Sequence, residues 1–213
     1  MKRYIFDLDG TLLLANFEDE LNFFNERLTK RGWSKEKINN FHKDRVPLIY
    51  GYEELNATYN RELLRRWFKE HKYELSEKDI NDWIAFNGNE MRDTILDGAI
   101  EVLEYLKSKD KEIVLLTNWF METQENRLKR AGLLDYFDYL VTGEMAIKPR
   151  RASYAEACAL SVPWECVMIG DNWEKDYLGP TRYLMNTHYV GEVKDTTKKV
   201  KQKKLIELIG GED

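Results

Sequence analysis

The feature that most constrains the fold is a set of short apolar runs, each long enough for one buried strand. The runs are Tyr4–Phe6, Glu112–Leu116, Tyr139–Val141, Val167–Ile169 and the weaker Thr187–Val190. The first four are apolar almost throughout, as strands covered on both faces of a parallel sheet are. Helical patterns separate the later runs, at Gly98–Ser108, Glu122–Ala131 and Tyr154–Leu160. This alternation predicts a doubly wound α/β fold with a parallel sheet.

One long stretch interrupts the alternation. From about Ala15 to Arg92 no convincing strand pattern occurs, and charged and aromatic residues mix with a period close to that of a helix. Four helices are expected there, because Gly32, Pro47, Gly51 and a Ser76–Glu77 start signal punctuate the stretch. They are Phe17–Lys30, Lys35–Asp44, Glu53–His71 and Glu77–Asn89. We interpret the stretch as a helical insert placed after the first strand.

Composition narrows the class of protein. The formal net charge of −5 over 213 residues disfavours nucleic acid as a partner, because binding of phosphate backbones needs a basic face. No apolar run reaches the roughly 18 residues of a membrane span, and the N-terminus has no apolar signal core. Cys158 and Cys166 are too few for a disulfide framework or a cysteine-rich zinc site. We therefore expect a cytoplasmic protein with no membrane partner, and the sequence carries no signal for its oligomeric state.

The tail concentrates lysines. Six of them lie within residues 194–204 of the stretch KDTTKKVKQKKLIELIGGED. Such a run is typical of a nucleic-acid or membrane patch. It is also typical of a terminal helix whose Leu205, Ile206, Leu208 and Ile209 dock while the lysines face water, which is the interpretation that we favour.

Two aspartates follow the first strand, in the stretch YIFDLDGTLLL. Asp7 and Asp9 lie two residues apart, so in an extended chain they point to the same side and their charges repel. Asp-Gly between apolar runs is also a strong hairpin signal. A calcium loop does not fit, because Ile5 and Asn16 stand where acidic ligands belong. From this stretch alone, a hairpin and an acidic site explain the pattern equally well.

Polar residues recur at the carboxyl end of one predicted strand after another. Thr117 and Asn118 follow the second strand. Lys148 lies in the loop after the third. Asp171 follows the fourth, and Asp176 comes soon after it. Ligands of open α/β sheets bind at this edge, so a parallel sheet would bring these side chains and the aspartate pair to one crevice.

These side chains suit phosphoryl transfer. Clustered carboxylates raise one another's pKa unless a hard cation neutralises them, and Mg²⁺ prefers a few carboxylates plus water and phosphate oxygens. Lys148 and the Thr117 hydroxyl could hold the remaining phosphate oxygens. One aspartate of the pair can attack phosphorus, while the other protonates the leaving oxygen and later deprotonates water. Mg²⁺ is therefore the expected cofactor, and a small phosphorylated metabolite is the expected partner.

The chain resembles the haloacid dehalogenase (HAD) superfamily of phosphohydrolases. FDLDGT looks like the first motif of that superfamily, LLTN the second, IKP the third and GDNWEKD the fourth. The order and spacing match across the whole chain. The helical stretch lies where the superfamily inserts a C1-type cap. The second and third motifs are weak signals alone, but the four in order are highly specific.

The resemblance implies a catalytic or binding role for five matching residues. Asp7 would be the nucleophile and Asp9 the acid/base. Thr117 would bind phosphate, with Asn118 beside it. Lys148 would steady both the nucleophile and the phosphate.

The resemblance also implies a metal site. Mg²⁺ would lie between Asp7, the backbone carbonyl of Asp9, and Asp171. Asp176 would be an outer-shell group, bonded to metal-bound water or to Lys148.

Asp9 separates classes within the superfamily. Dehalogenases resemble this pattern but lack the second aspartate, and the ion-pumping ATPases carry threonine there, so Asp9 indicates a phosphatase or a phosphomutase. The chain departs from the common pattern at residues 14–17, where LANF replaces a Val-Asp-Ser-like stretch. Residues Ile49–Phe68 look somewhat like caps of nucleotidase-type members, a similarity too weak to assign a substrate.

These observations together predict an enzyme with a defined reaction and fold. It is a Mg²⁺-dependent phosphatase that hydrolyses a small phosphomonoester, such as a nucleotide or sugar phosphate, through an aspartyl-phosphate intermediate. Its fold is a Rossmann-like three-layer α/β/α core, residues 1–14 and 93–213, with a helical cap at residues 15–92. A phosphomutase would use the same residues, and a non-catalytic phosphate-binding module is a further alternative.

Overall fold

A five-stranded parallel sheet forms the centre of the molecule. The computed structural model describes residues 2–192 and 203–209. Its strands are β1 (Arg3–Phe6), β2 (Leu13–Ala15), β3 (Asp93–Ile95), β4 (Glu112–Leu116), β5 (Tyr139–Val141), β6 (Cys166–Gly170) and β7 (Asn186–Tyr189). The central sheet has the order β5-β4-β1-β6-β7, and every neighbouring pair in it is parallel. The five strands expected from the apolar runs are the five strands of this sheet.

Eight α-helices accompany the strands in the described residues. They are α1 (Phe17–Lys30), α2 (Lys35–Leu55), α3 (Arg61–Glu70), α4 (Glu77–Asn89), α5 (Ala99–Ser108), α6 (Met121–Ala131), α7 (Arg151–Cys158) and α8 (Gly179–Arg182). A π-helical turn covers Trp173–Leu178, and short 3₁₀ turns cover Leu134–Tyr136, Pro163–Glu165 and Leu205–Leu208. Within residues 2–192 and 203–209, no helix has the length and apolarity needed to cross a bilayer.

The strands are buried on both faces by different helices. Tyr4 and Phe6 of β1 pack in a cluster with α5 residues, whereas Ile5 between them packs in a second cluster with α7 residues. Alternate residues of a strand point to opposite faces, so the apolar runs serve two cores at once. Each fully buried side chain of this kind contributes roughly 1.5–3 kcal/mol relative to exposure. The resulting architecture is the three-layer α/β/α fold that the apolar runs predict.

Helices α1 to α4, here called the helical segment, lie between β2 and β3. Their core is aromatic, and Phe24, Phe41, Tyr52 and Phe68 are fully buried in it. The bounds of α1 and α4 match the sequence expectation. Ser76 caps α4 in a capping box with Asp79. The Ser76 hydroxyl accepts from the backbone N–H of Asp79, and the Asp79 carboxylate accepts from the backbone N–H of Ser76.

The middle of the helical segment differs from the expectation. The predicted break after Asp44 is wrong, because α2 continues through Pro47 and Gly51 to Leu55. Phe41 and Tyr52 are fully buried on either side of Pro47, and this packing outweighs the lost backbone hydrogen bond. The predicted helix over Glu53–His71 begins later, since Asn60 caps α3 by accepting from the Leu63 amide at 3.1 Å.

A short antiparallel ribbon joins the two ends of the helical segment. In it Leu13 pairs with Ile95 and Ala15 with Asp93. Each strand has three residues, and about 80 residues of chain separate them, so neither periodicity nor a turn signal marked them in the sequence. The ribbon also excludes the hairpin interpretation of the Asp-Gly turn, because β2 pairs with β3 and not with β1.

Residues 205–208 dock against the core. Leu205 and Leu208 are buried in a 3₁₀ turn against α5, while Ile206 is exposed. The helix expected for this tail is therefore a single turn in the described residues. Lys194, Lys198, Lys199 and Lys201 lie outside those residues.

Candidate active site

The predicted site residues meet at the carboxyl edge of the sheet. Because β4, β1 and β6 are adjacent, the residues that follow them lie side by side. The Asp7 amide donates to the Ile169 carbonyl at 2.9 Å, and the Thr117 amide donates to the Val141 carbonyl at 3.0 Å. These bonds extend the strand ladders by one residue and fix where the two side chains begin. Asp171 follows β6 at the same edge.

Lys148 is the central cation of this edge. Its side chain is 2% exposed, and its Nζ donates to Asp7 Oδ1 and to Asp176 Oδ1, both at 2.7 Å. Burial lowers the pKa of the ammonium group, but the charges of the two carboxylates outweigh burial and raise it above its ordinary value. Lys148 therefore stays charged and neutralises part of the buried negative charge.

Asn118 holds the backbone at Lys148. Its Oδ1 accepts from the Lys148 amide at 2.8 Å, and its Nδ2 donates to the Lys148 carbonyl at 3.3 Å. The same Nδ2 donates to Glu53 Oε1 of α2 at 2.7 Å. The side chain expected beside the phosphate is thus bonded to the protein on both its oxygen and its nitrogen.

Three carboxylates form a compact acidic cluster. Oxygen atoms of Asp7, Asp171 and Asp176 lie within 4.8 Å of one another. Burial and then the charge of Asp7 raise the pKa of Asp171 to about 6. Burial also raises the pKa of Asp7, against the opposing effect of Lys148. The single positive charge of Lys148 does not neutralise three carboxylates. A hard divalent cation would suit their oxygen donors.

Gly10 makes room for the cluster. A Cβ atom at this position would lie 2.4 Å from Asp171 Oδ2, and the φ angle of 76° is one that glycine adopts without strain. The backbone of the turn after β1 therefore approaches the Asp171 carboxylate closely. Of the expected metal positions, Asp7, Asp171 and the turn containing Asp9 lie together.

Asp176 is fully buried beneath the site. Its Oδ1 accepts from Lys148 Nζ, and its Oδ2 accepts from the Asn172 amide at 3.0 Å. Both oxygens are thus bonded within the protein. This geometry agrees with the expected bond to Lys148.

Asp9 contacts a residue that the sequence analysis did not identify. Arg127 of α6 donates from Nη2 to Asp9 Oδ1 at 2.6 Å and from Nη1 to Asp9 Oδ2 at 3.0 Å. Burial lowers the pKa of the guanidinium, but the carboxylates of Asp9 and Asp93 raise it above its ordinary value. One signal was present in the sequence: Gln124 and Arg127 are three residues apart on the helix that follows Thr117, and so share a face.

Thr117 is tied to the same helix. Its hydroxyl accepts from Gln124 Nε2 at 3.1 Å and donates to the Asn118 carbonyl at 3.3 Å. The hydroxyl lies at the wall of the crevice, where Asp7 and Lys148 also lie.

The crevice is a cavity of about 490 Å³ between the sheet edge and the helical segment. The strand-end residues line one side of it, and Arg45, Tyr59 and Trp83 of the helical segment line the other. Arg45 is buried and forms an ion pair with Glu20, with 2.7 Å between its Nη2 and Glu20 Oε2. A cavity of this size takes a small molecule.

Comparison with known proteins agrees with this fold. A family model for haloacid dehalogenase-like hydrolases matches residues 1–180. The chain therefore belongs to the haloacid dehalogenase-like hydrolases. Among solved structures, the HAD phosphatase from Thermococcus onnurineus is similar over 98% of this chain and 96% of that chain, with a TM-score of 0.64 and 23% identity.

Two curated relatives match over part of the chain. Pyrimidine 5'-nucleotidase YjjG of Escherichia coli (strain K12) is 38% identical over 91 residues, which is 40% of each chain. Ribulose-1,5-bisphosphate 5-phosphatase of Halopiger xanaduensis (strain DSM 18323 / JCM 14033 / SH-6) is 33% identical over 98 residues, 44% of this chain and 41% of that protein. The chain thus spans about two fifths of the length of these relatives.

Proposed function

We propose that this protein is a Mg²⁺-dependent phosphatase that hydrolyses a small phosphomonoester through an aspartyl-phosphate at Asp7. The observation that carries the proposal is the contact of Lys148 with Asp7, beside Asp171 and two residues from Asp9. A nucleophilic carboxylate, a fixed cation and a second carboxylate with access to solvent are the groups that the reaction needs.

The proposed reaction has two steps. In the first, an Asp7 oxygen bonds to phosphorus while the bond between phosphorus and the ester oxygen breaks, and that oxygen takes a proton from Asp9. In the second, Asp9 removes a proton from water, the water oxygen bonds to phosphorus, and the Asp7 carboxylate is released together with inorganic phosphate. Asp9 suits both proton transfers because its side chain is 42% exposed and the residue lines the crevice.

Charge on the transferred phosphoryl group needs fixed positive partners. Lys148 supplies one, and the Thr117 hydroxyl, with Asn118 beside it, lies where it could hold a phosphate oxygen. Mg²⁺ would be held by Asp7, the Asp9 carbonyl and Asp171, with Asp176 outside them, and it would supply neutralisation of the phosphate charge.

The helical segment supplies the other wall of the proposed site. We assign residues 15–92 as a C1-type cap over a core of residues 1–14 and 93–213, because the β2–β3 ribbon brings the two ends of this insert together. A cap over the crevice would exclude water during the first step. The curated relatives are named for a nucleotide and a sugar bisphosphate, and both classes are candidate substrates. A cytoplasmic location remains part of the proposal.

Hydrolysis of 4-nitrophenyl phosphate by the purified protein tests the proposal. We expect turnover that needs Mg²⁺ and stops on addition of EDTA, and we expect Asp7→Asn to reduce kcat by at least about 10³-fold. Asp135→Asn is the matched control, because Asp135 is exposed and does not line the crevice. Absence of Mg²⁺-dependent turnover on this ester and on a panel of nucleotide and sugar phosphates would refute the hydrolase assignment. Product analysis with a sugar phosphate separates hydrolysis from a mutase reaction.

A further inference from the structure

Arg127 forms a two-pronged contact with the carboxylate of Asp9. Its two terminal nitrogens each donate to a different Asp9 oxygen, at 2.6 Å and 3.0 Å. The Arg127 side chain is 3% exposed, whereas that of Asp9 is 42% exposed. A buried, planar guanidinium therefore sets the plane and direction of a carboxylate that otherwise has room to rotate.

Other contacts fix Arg127 independently of Asp9. Its Nη2 donates to Asp93 Oδ1 at 2.7 Å, its Nε lies 3.2 Å from both oxygens of the same carboxylate, and its Nη1 donates to Gln124 Oε1 at 3.0 Å. Gln124 in turn donates to the Thr117 hydroxyl. Arg127 thus stays in place when one Asp9 oxygen turns away toward a substrate.

We propose that Arg127 is the positioning residue for Asp9 in its role as acid and base. This inference rests on the proposed phosphatase reaction. Arg127 acts through Asp9 and not on the phosphoryl group itself: it holds the Asp9 carboxyl group where its proton can pass to the ester oxygen as the bond from phosphorus to that oxygen breaks. A misplacement of about 1 Å in such a group costs on the order of 10²-fold in rate.

A purely structural role makes a different prediction. The contact of Arg127 with Asp93 also braces α6 against β3, and loss of such a brace would lower the rate with every substrate alike. Loss of Asp9 positioning should instead lower the rate most for the substrate whose ester oxygen most needs a proton in order to leave. A nitrophenolate leaves without one, whereas an alkoxide does not.

The experiment compares kcat/KM, which reports the steps up to phosphorylation of Asp7, for 4-nitrophenyl, phenyl and benzyl phosphate. We expect Arg127→Gln to lower kcat/KM about threefold or less for the nitrophenyl ester and about 100-fold for the benzyl ester. Arg127→Lys keeps the positive charge but lacks the planar guanidinium. Its kcat/KM for the benzyl ester should lie between those of the wild type and Arg127→Gln, and this variant replaces Arg127→Gln in the test if the latter does not fold. Adding either change to Asp9→Asn should cause little further loss, because both act on one proton transfer.

Arg130→Gln is the matched control. Arg130 also lies on α6 and donates to Asp93, at 3.2 Å, and to the Gly88 carbonyl, at 2.7 Å. No contact joins it to Asp9 in the described residues, so any loss it causes should be equal for the three esters. An equal loss for the three esters in Arg127→Gln, or none, overturns the role of Arg127 while leaving the phosphatase proposal intact. Absence of wild-type turnover on the nitrophenyl ester overturns both.

Discussion

At the scale of single residues, Lys148 neutralises part of the negative charge of the site. It is buried between Asp7 and Asp176, so its removal leaves two buried carboxylates without a counter-charge. We expect Lys148→Met to lower the free energy of unfolding by about 3–5 kcal/mol. We also expect kcat to fall on the order of 10²–10³-fold, because the proposed reaction loses its fixed cation. Urea unfolding and initial rates on 4-nitrophenyl phosphate measure the two effects.

Lys43→Met is the control for this substitution. Lys43 lies on the exposed face of α2, and we expect its replacement to change the free energy of unfolding by no more than about 0.5 kcal/mol. Both proteins are unfolded in the absence of Mg²⁺. If Lys148→Met and the wild type then unfold at the same urea concentration, Lys148 does not neutralise the buried carboxylates as proposed.

Asp171 gives a prediction that does not depend on turnover. A ligand that binds only the folded protein stabilises it by about 2.7 kcal/mol at 100 times its dissociation constant, which corresponds to about 5–10 °C in Tm for a chain of this size. Mg²⁺ alone should therefore raise the Tm of the wild type. In Asp171→Asn the rise should be largely lost, while Asp135→Asn should keep it. Equal shifts in all three proteins would place the cation elsewhere.

The sequence identified residues whose position follows from the strand pattern. Asp7, Thr117 and Asp171 each come directly after an apolar run, and parallel strands bring such positions to one edge. It could not identify Arg127 as the partner of Asp9, because the two residues are 118 positions apart and only the packing of α6 brings them together. It also placed Asn118 beside the phosphate without showing that its amide holds the Lys148 backbone.

At the scale of elements, a buried ion pair connects three helices of the helical segment. Arg45 of α2 forms an ion pair with Glu20 of α1. Glu20 Oε1 accepts from Trp83 Nε1 at 2.5 Å and from Asn87 Nδ2 at 3.1 Å, both on α4. Arg45→Met leaves a buried carboxylate without its cation and should cost about 3–5 kcal/mol of unfolding free energy. Adding Glu20→Gln should recover part of that loss, because the charge is then absent.

Urea unfolding of the two single variants and the double variant gives the coupling energy between these side chains. Additive losses, within about 0.5 kcal/mol, would mean that Arg45 and Glu20 act independently and would contradict the prediction.

The junction between α1 and β3 has a pH-dependent contact. The Arg92 guanidinium and then the Arg92 backbone N–H, both bonded to Asp19, lower the pKa of that carboxylate to about 2. Because this lies below the unfolded value of about 3.9, the contact stabilises the fold above pH ~4, and the contribution is lost as pH falls toward 2. Asp19→Asn should therefore show a shallower fall of Tm between pH 4 and 2 than the wild type. Parallel curves would exclude the contact as a contributor, and added salt should weaken the difference.

Element boundaries followed the sequence where local signals and packing agree. The bounds of α1 and α4 were predictable because polar caps precede apolar periodicity. The extension of α2 through Pro47 was not, because burial of Phe41 and Tyr52 against other helices overrides a local helix breaker. The β2–β3 ribbon depends on pairing across the whole helical segment, which no local pattern encodes.

At the scale of the whole molecule, the loop after α2 attaches the helical segment to the sheet edge. The Tyr59 amide donates to the Gly143 carbonyl at 2.6 Å, and the Ile147 amide donates to the Ala57 carbonyl at 2.9 Å. The sequence predicted an insert at this place in the chain because the strand–helix alternation stops there. It could not predict the docking, since each of these bonds joins residues more than 80 positions apart.

Glu53 connects the helical segment to the sheet edge through side-chain hydrogen bonds. Its Oε1 accepts from Asn118 Nδ2 and from the Tyr59 hydroxyl, and its Oε2 accepts from Lys175 Nζ at 2.5 Å. One buried carboxylate at the end of α2 therefore bonds the loops after β4 and β6. Its loss leaves several polar groups without partners, a cost of about 1–3 kcal/mol for each buried group.

We therefore expect Glu53→Ala to weaken the contact between the helical segment and the sheet edge without unfolding either. The backbone amides of Tyr59 and Ile147 should exchange with solvent about 10–100-fold faster, while amides in β1 and β4 keep their protection. Glu54→Ala is the control, because that side chain is exposed one residue further along the helix. Equal acceleration in the β1 and β4 amides would indicate global destabilisation. Unchanged exchange at Tyr59 and Ile147 would mean that the loop docks through its backbone bonds alone, and that Glu53 does not hold the two parts of the molecule together.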